Sequence, residues 1–590
     1  MKWKLGIILL LFTINIISYA NIFSNEFVWD DHIFILDNPD IRSFSNIHLF
    51  FSKDVDGLYR PLRTLHYTFI YSIAGKNEFL YHLNSFLLHA VISILVFFII
   101  YEIINKKNIS LLSALIFAAH PIHTGRVTNI TGSFDLLGIF FMLFSFYLYI
   151  KYSKLNDKKY FLFSLLFFVL AIFSSEEAII LPLIILLYEF VFNREKFSKK
   201  LIKNNIIKNY SPYFIIAILY IILRFFILGI RGRMQEYLAG NFFLTMLTML
   251  KVYIYYIYLL IFPINLTLFY DIEPVSSLFD FKVIFSFLFL LILFIIVIKY
   301  YKNRILFFSV FWFFIALIPM SNILPLQIFM AERYLYVPSI GFSLLLSYTL
   351  FSIYNFKLKD KKMMKILKNV IIIFIILLLS FYVVRTIDRN NDWKDNLTLW
   401  GKTVETNPNN SKAHDNLGFT YDRAGDTKKA LVEFEKSVEL MPNNFRALAN
   451  LGVAYAKLKR YNESLEVLQK SIKIRQYHKT YDKLGLVYVE LGQEDKAIEQ
   501  FNKAIKINQR YAKAHNDLAT IYGRAGKFDI ALQEFNEAIR IDRDYTDGHY
   551  NLGILLEFMG EKELAKKEFE IAFSLEPENE KFRDKLNSLK

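Results

Sequence analysis

The chain contains no cysteine. Structural disulfides, cysteine-ligated metal centres and thiol nucleophiles are therefore excluded. A second absence divides the sequence. Beyond about Asp388 there are no long apolar runs, only ordinary amphipathic sequence. Before that point such runs dominate, many of them near the ~20 residues that a helix needs to cross ~30 Å of hydrocarbon. The whole chain is 55% hydrophobic, with 60 Phe and 37 Tyr among 590 residues, above the about 45–50% usual for soluble domains. These facts predict an all-α protein with a polytopic membrane domain over residues 1–390, a linker over 391–410 and a soluble helical part beyond it. The net charge is +15, but the Lys and Arg residues cluster in short connections between apolar runs. That pattern is the positive-inside signature of a membrane protein, and no nucleic-acid partner is expected.

Lys2 and Lys4 precede the first apolar run, and Ser18-Tyr19-Ala20 resembles a signal-peptidase site. A cleaved signal and a retained first span are both compatible with this pattern. In either case the chain beyond Ala20 lies outside the cytoplasm. Candidate spans cover 4–22, 83–104, 109–122, 132–150, 160–174, 177–192, 210–228, 280–298, 304–320, 338–355 and 367–385. The basic connections are Lys106-Lys107, Lys151 to Lys159, Arg194 to Lys208, Lys299 to Arg304 and Lys357 to Lys368, all expected in the cytoplasm. A further apolar stretch, 244–262, would reverse every later loop if it crossed, so it is expected to be interfacial or re-entrant. Eleven net crossings then put the tail of this integral cytoplasmic-membrane protein on the non-cytoplasmic side. The outer segments collect Asp30, Asp31, His32, Arg60, His120, His123, Asp135, Glu176, Glu177 and Arg333. Charge near a membrane boundary is costly unless paired or functional, so a site is expected on that face.

In the tail, Gly418, Gly452, Gly485, Ala519 and Gly553 recur at 34 residues with one step of 33. This is the tetratricopeptide (TPR) period. Five units fit over 411–579, with a capping helix expected over 580–590. A single unit cannot bury its apolar face, so the units stack into an α-solenoid with a concave groove. Such a groove points to a protein or peptide partner, or to a spacer or self-association role, rather than to chemistry.

Several motifs follow the first span in order: Asn25-Glu26-Phe27-Val28-Trp29-Asp30-Asp31-His32, Tyr59-Arg60-Pro61-Leu62, and Tyr81-His82-Leu83-Asn84 with His89. Ala118-Ala119-His120-Pro121-Ile122-His123-Thr124 and Asp135-Leu136-Leu137 come next. Ser175-Glu176-Glu177 and Ala331-Glu332-Arg333-Tyr334-Leu335-Tyr336 stand further on, and Asp392-Trp393 precedes the repeats. Over nearly the whole chain this order resembles the transmembrane and TPR-repeat-containing O-mannosyltransferase family. The resemblance implies a GT-C-like membrane domain, a retained first span, and an inverting transfer of sugar from a polyprenyl-phosphate carrier to a protein hydroxyl. Two positions depart from it. Gly125 and Arg126 stand where the resemblance implies an acidic residue, and Glu176 stands where it implies a basic one. The implied donor is therefore a hexose or related sugar on a lipid phosphate, with mannose as one case.

An attacking alcohol needs a base as its proton leaves. The family's acidic pair maps onto Asp30 and Asp31, which point different ways because they are adjacent; either could alternatively cap a short helix. A leaving lipid phosphate needs donors, for which Arg suits through its bidentate fork. Arg333, Arg60 and Arg224 are the candidates, against the plainer role of boundary arginines that snorkel. His120, His123 and Glu177 are candidates for binding donor sugar or phosphate. Without cysteine or a third fixed ligand, no divalent metal is expected. Membrane lipids, the lipid-linked donor and an acceptor held by the TPR groove are the expected partners. Two rival readings are a membrane-anchored TPR scaffold and a ligase or polymerase of lipid-linked glycans.

Overall fold

Apolar helices with capped ends make up the amino-terminal two-thirds of the computed structural model, which describes residues 2–55, 57–193, 209–230, 236–238 and 240–588. The basic connection from Arg194 to Lys208 lies outside these residues. Asn77 opens helix Glu78–Ile104 by accepting a hydrogen bond from Leu80 N, and Asp360 accepts likewise at the start of Lys361–Asn391. Asn105 and Asn156 end their helices in the left-handed region, at φ 51° and 55°, which Asn tolerates better than most residues. Among the described residues six helices are long and apolar enough to cross a membrane: Lys2–Ser24, Glu78–Ile104, Ile130–Leu155, Phe242–Ile261, Phe281–Lys299 and Lys361–Asn391. Other expected spans are shorter helices, among them Lys107–Ala119, Ser211–Ile227, Arg304–Met320 and Pro338–Tyr354.

The chain forms two compact units, Met1–Leu36 with Phe44–Thr406, and Asp37–Ser43 with Asn407–Lys590. In the first unit, the carboxyl-terminal ends of the first and last long helices meet. Asn390 Nδ2 donates to Ser18 O at 2.9 Å, Asn21 Nδ2 to Ile387 O at 3.0 Å and Glu26 N to Lys394 O at 2.8 Å. Residues 20–36 and 391–406 therefore share one face of this unit. The other end carries Lys151 and Lys154 against Glu102, at 2.6 and 3.0 Å.

Helix Phe242–Ile261 covers the stretch expected to be interfacial or re-entrant. It is unbroken, and by length alone it would cross. Tyr237 OH, just ahead of it, donates to Ile323 O at 3.2 Å, and Asn322 Nδ2 reaches Met249 Sδ at 3.3 Å. Ala331 N donates to Tyr256 OH at 3.4 Å, and His120 Nε2 pairs with Leu260 O at 3.0 Å. Residues near both of its ends thus meet the expected outer segments 120–131 and 321–337, while its length and apolarity make it a candidate span.

The stretch 391–410, expected as a linker, contains the helix Asn396–Thr406 with Leu399, Trp400 and Thr403 buried. Large aromatic surfaces gain most from burial, and here Trp393 and Trp400 pack against Trp29 at 6.5 and 6.1 Å between ring centroids. Asn396 fixes the contact by accepting from Trp29 N at 3.0 Å and donating to Phe27 O at 3.2 Å.

The second unit holds five helix pairs, from Ser411–Arg423 with Thr427–Leu440 to Thr546–Phe558 with Lys562–Leu575, followed by Glu580–Asn587. The recurring glycine exists for close packing. A Cβ at Gly485 would sit 2.6 Å from the Phe501 ring of the paired helix, and one at Gly553 would sit 2.7 Å from Phe569. His414, His515 and His549 each meet a glutamate 19 residues on, at 2.6 Å in all three cases. Asp37–Ser43, part of the first expected outer segment, packs as a member of this unit. Arg510 Nη2 donates to Asp40 Oδ1 at 2.7 Å, and Ile41 is fully buried.

Candidate active site

Five segments of the first unit converge on a cluster of four arginines and three carboxylates. Arg60 stands just before helix Pro61–Ala74, where Pro61 suits the first turn, and Arg63 follows one helical turn later. Asp135 lies near the start of Ile130–Leu155, and Arg126 lies in the short turn before it. Glu176 and Glu177 open the turn after Lys158–Ser174, and Arg224 is in the turn that ends the helix begun at Ser211. Two glycines allow the approach. A Cβ at Gly132 would sit 2.7 Å from the carbonyl oxygen of Gly125, and one at Gly138 would sit 2.6 Å from Ser175 Cβ and 2.9 Å from its backbone nitrogen. Only glycine lets the turn that carries the two glutamates rest against the Asp135 helix.

Asp135 is shared by three guanidinium groups. Oδ1 accepts from Arg60 Nη1 at 2.5 Å and Arg63 Nη1 at 3.1 Å, and Oδ2 accepts from Arg126 Nη1 at 2.6 Å. Arg126 also donates to Glu177 through Nη2. Arg60 Nε donates to Glu176 Oε2 at 2.5 Å, and Arg224 Nη1 forms an ion pair with Glu176 Oε1 at 2.9 Å. Four cations (Arg60, Arg63, Arg126, Arg224) against three anions (Asp135, Glu176, Glu177) leave one positive charge in excess. The cluster also has a deep end and a shallow end. The side chains of Arg126 and Arg63 are 2% and 3% exposed, whereas those of Arg60, Arg224 and Glu176 are 13%, 12% and 20% exposed. Only the shallow end can meet a ligand. Although burial disfavours its charge, Glu176 is held below the usual carboxylate range by Arg60 and Arg224.

The acidic pair separates into two environments. Asp31 is fully enclosed. Its Oδ2 accepts from Val28 N at 2.9 Å, and its Oδ1 accepts from Thr131 N at 2.7 Å and from the Thr131 hydroxyl. Burial pushes its carboxyl up to about 7 against the pull of those hydrogen bonds. Asp31 is thus a strut between the first loop and the start of helix Ile130–Leu155. Asp30 is only half-buried, and its carbonyl caps the next turn by accepting from Phe34 N at 3.1 Å. The preceding residue, Trp29, has φ 54°, a conformation that costs an L residue of this bulk of order 1–3 kcal/mol and persists only when its surroundings enforce it. The Arg333 guanidinium lies over the Trp29 ring at 5.4 Å and over Tyr334 at 5.4 Å, while the carbonyl of Arg333 accepts from Arg126 Nε at 3.2 Å. Trp29 and Arg126 therefore link the Asp30 loop, Arg333 and the arginine–carboxylate cluster.

His120 and His123, expected to contact the donor, are not brought to this cluster. Both are fully buried. His120 Nδ1 accepts from Ile122 N at 3.2 Å, which leaves Nε2 to donate to Leu260 O. His123 Nε2 pairs with Ser339 Oγ at 2.9 Å. Their polar atoms serve the joint between the 120–127 turn and helices Phe242–Ile261 and Pro338–Tyr354. Arg63 and Arg126 join the site beyond the candidates drawn from the sequence, whereas Asp135 and Glu176 are among the outer charges collected there. For Arg63 a signal existed, because residues three apart share a helix face. For Arg126 it was the departure from the family pattern. Among the described residues no group of three or more His, Asp or Glu side chains is placed to hold a metal ion.

Residues 61–222 match the family described as dolichyl-phosphate-mannose-protein mannosyltransferase. That segment carries Arg63, Arg126, Asp135, Glu176 and Glu177, but not Asp30, Arg224 or Arg333. Tetratricopeptide families match 411–444, 444–510, 521–560 and 546–579. Similar curated proteins include a protein O-mannosyl-transferase of Caenorhabditis elegans, 26% identical over 70% of this chain and 59% of its own length. Another is protein O-mannosyl-transferase TMTC3 of Homo sapiens, 26% identical over 68% of this chain and 47% of its own. The chain spans about half the length of these relatives. Among solved structures, a TPR protein of Thermus thermophilus is 24% identical over 30% of this chain and 98% of its own, at a TM-score of 0.29. The chain is thus similar to the TPR-bearing protein O-mannosyltransferases, with a segment that matches a mannosyltransferase family followed by tetratricopeptide repeats.

Proposed function

We propose that this protein transfers a sugar from a polyprenyl-phosphate carrier to Ser or Thr hydroxyls of a protein, at the non-cytoplasmic face. The observation that carries the reading is the cationic excess of the arginine–carboxylate cluster, linked through Arg126, Arg333 and Trp29 to the loop of the half-exposed Asp30. Asp30 acts as the base. The acceptor oxygen bonds to the anomeric carbon with inversion, its proton passes to Asp30, and the bond from that carbon to the phosphate oxygen breaks. The electron pair leaves with the lipid phosphate. Arg333 and the shallow arginines, Arg60 and Arg224, meet the charge that develops there. Preorganised donors of this kind are worth roughly 2.7–4 kcal/mol each in a transition state, and this role calls for no divalent ion. Asp31 positions the loop rather than reacting.

Orientation follows from the basic connections, which favour the cytoplasm. The face of Asp30 is then external, and the chain leaves the first unit at Thr406 on that side. The TPR tail recruits the acceptor there. The test supplies purified protein in liposomes with radiolabelled polyprenyl-phosphate mannose, and separately with the glucose and galactose forms, plus extracytoplasmic protein. Label on the acceptor that alkaline β-elimination releases, from at least one donor, is expected, and no transfer from any of them overturns the reading. A rigid scaffold would bind acceptor and transfer nothing.

A further inference from the structure

The first helices of successive repeats touch through a polar ladder. Asn450 Nδ2 donates to Asp415 Oδ1 at 2.9 Å, and Lys483 Nζ donates to Asn450 Oδ1 at 2.5 Å. These three residues come from the first, second and third units, on the helices Ser411–Arg423, Phe445–Lys457 and His478–Glu490. First helices line the inner surface of a solenoid of this kind, so the ladder faces the groove.

The charge balance along the ladder is uneven. Lys513, in the fourth unit, is saturated by Asp482 at 2.7 Å and Asp517 at 2.8 Å. The cations before it are not. Among the described residues Arg446, Lys479 and Lys483 have no ion pair with a carboxylate. Arg446 rests on the Phe445 and Tyr477 rings at 5.8 and 5.9 Å. Lys483 spends its hydrogen bond on a neutral amide, and burial, reinforced by Lys479 and Lys513, lowers its amino group to about 8 despite the nearby Asp415. Counting Asp415, which Arg446 and Lys483 share, and Asp482 and Asp517 beside Lys513, three carboxylates face these four cations, and an anionic ligand relieves the one charge in excess.

The spacing identifies the kind of ligand. Packed helices lie ~8–10 Å apart, and an extended chain advances ~3.3 Å per residue. One repeat therefore matches about three residues of an extended peptide. We propose that the groove of the second and third repeats binds an extended acidic peptide segment, whose carboxylates, about three residues apart, are received by Arg446, Lys479 and Lys483. The saturated fourth repeat marks one end of this cationic stretch. The inference rests on the reading that the tail recruits the acceptor, and it names the acceptor's recognised feature as acidic residues near the modified hydroxyls.

Peptide binding is measurable without sugar transfer. The probes are a fluorescent peptide of repeated Ser-Ala-Glu triplets and its Ser-Ala-Gln counterpart, titrated by anisotropy against the full-length protein in nanodiscs. The Glu peptide is expected to bind at least tenfold more tightly, with affinity falling as salt rises. The double variant Lys479→Gln and Lys483→Gln is expected to abolish the preference. Because Lys483 is half-buried, the exposed Arg446→Gln serves as a second variant that leaves packing intact, and it is expected to weaken the Glu peptide several-fold. Lys503→Gln, which removes one charge from a second helix, is expected to leave the preference unchanged. Equal binding of the two peptides, or a preference that survives both groove variants, overturns the proposal. Glu-peptide binding without transfer from any donor supports the groove and removes only the enzymatic reading. Transfer without a preference for Glu removes only the groove proposal.

Discussion

Replacing Asp135 by Asn tests the cluster at its most connected point. The carboxylate receives three guanidinium groups, at 2.5, 3.1 and 2.6 Å. The substitution keeps the shape but raises the cationic excess from one charge to two. Breaking a buried ion pair by removing one partner costs about 3–5 kcal/mol. The lower half of that range is the expectation here, because Arg60 keeps Glu176 and Arg126 keeps Glu177. Arg63 has no other carboxylate among the described residues, and its side chain is 3% exposed. It is therefore the group stranded by the change, and adding Arg63→Gln should recover about 1–2 kcal/mol, within the usual coupling of contacting residues. The assay is thermal unfolding of the detergent-solubilised protein, followed by tryptophan fluorescence, for wild type, each single variant and the double. The order expected is wild type, then the double variant, then Asp135→Asn. If Asp135→Asn melts with wild type, or if the two changes are merely additive, the cluster is not the interlocked network described.

Two further outcomes follow from the same geometry. The Asp31 carboxyl is raised to about 7 by burial, from ~3.9 in an unfolded chain. A raised carboxyl contributes stability that is fully present below the unfolded value and lost as pH rises through the folded one. The membrane unit should therefore melt at a lower temperature at pH 8 than at pH 5.5, and Asp31→Asn should flatten that slope; an unchanged slope removes Asp31 as its source. Gly138→Ala forces a methyl against the Ser175 backbone, so an overpacking cost of about 1–3 kcal/mol is expected. Because the displaced turn carries Glu176 and Glu177, transfer activity should fall along with the melting temperature, and full activity would show that the turn's position is unimportant.

Much of the fold was legible because it depends on long, repetitive signals. Apolar runs of span length and the spaced Gly418, Gly452, Gly485 and Gly553 encode helices and their packing directly. Charge parity argues for a non-crossing course of 244–262, whereas the length and apolarity of helix Phe242–Ile261 make it a candidate span. Other features depend on contacts between distant positions. Nothing local in Asn396–Thr406 distinguishes a linker from a helix whose tryptophan packs on Trp29. Asp37–Ser43 joins the repeat unit through partners hundreds of residues away. In the site, the sequence pointed to Asp30, Asp31, Arg60, Arg224, Arg333 and Glu177, but it could not separate Asp30 from Asp31. That separation comes from the enclosure of Asp31 by Val28 and Thr131. For His120 and His123, a motif-rich turn reads the same whether its polar atoms face a ligand or a neighbouring helix, and both are buried against neighbouring helices.

The claim that Asp30 is the base is tested most directly by single-turnover transfer from a radiolabelled polyprenyl-phosphate sugar to an acceptor peptide, comparing wild type with Asp30→Asn and Asp31→Asn. A positioned general base contributes about 10²–10⁴-fold. Asp30→Asn should lose at least a hundredfold in the transfer rate while its melting temperature stays near that of wild type. Asp31→Asn should lower the melting temperature and retain most of its rate at a permissive temperature. Retained transfer in Asp30→Asn, or the opposite division of effects between the two residues, would contradict the account.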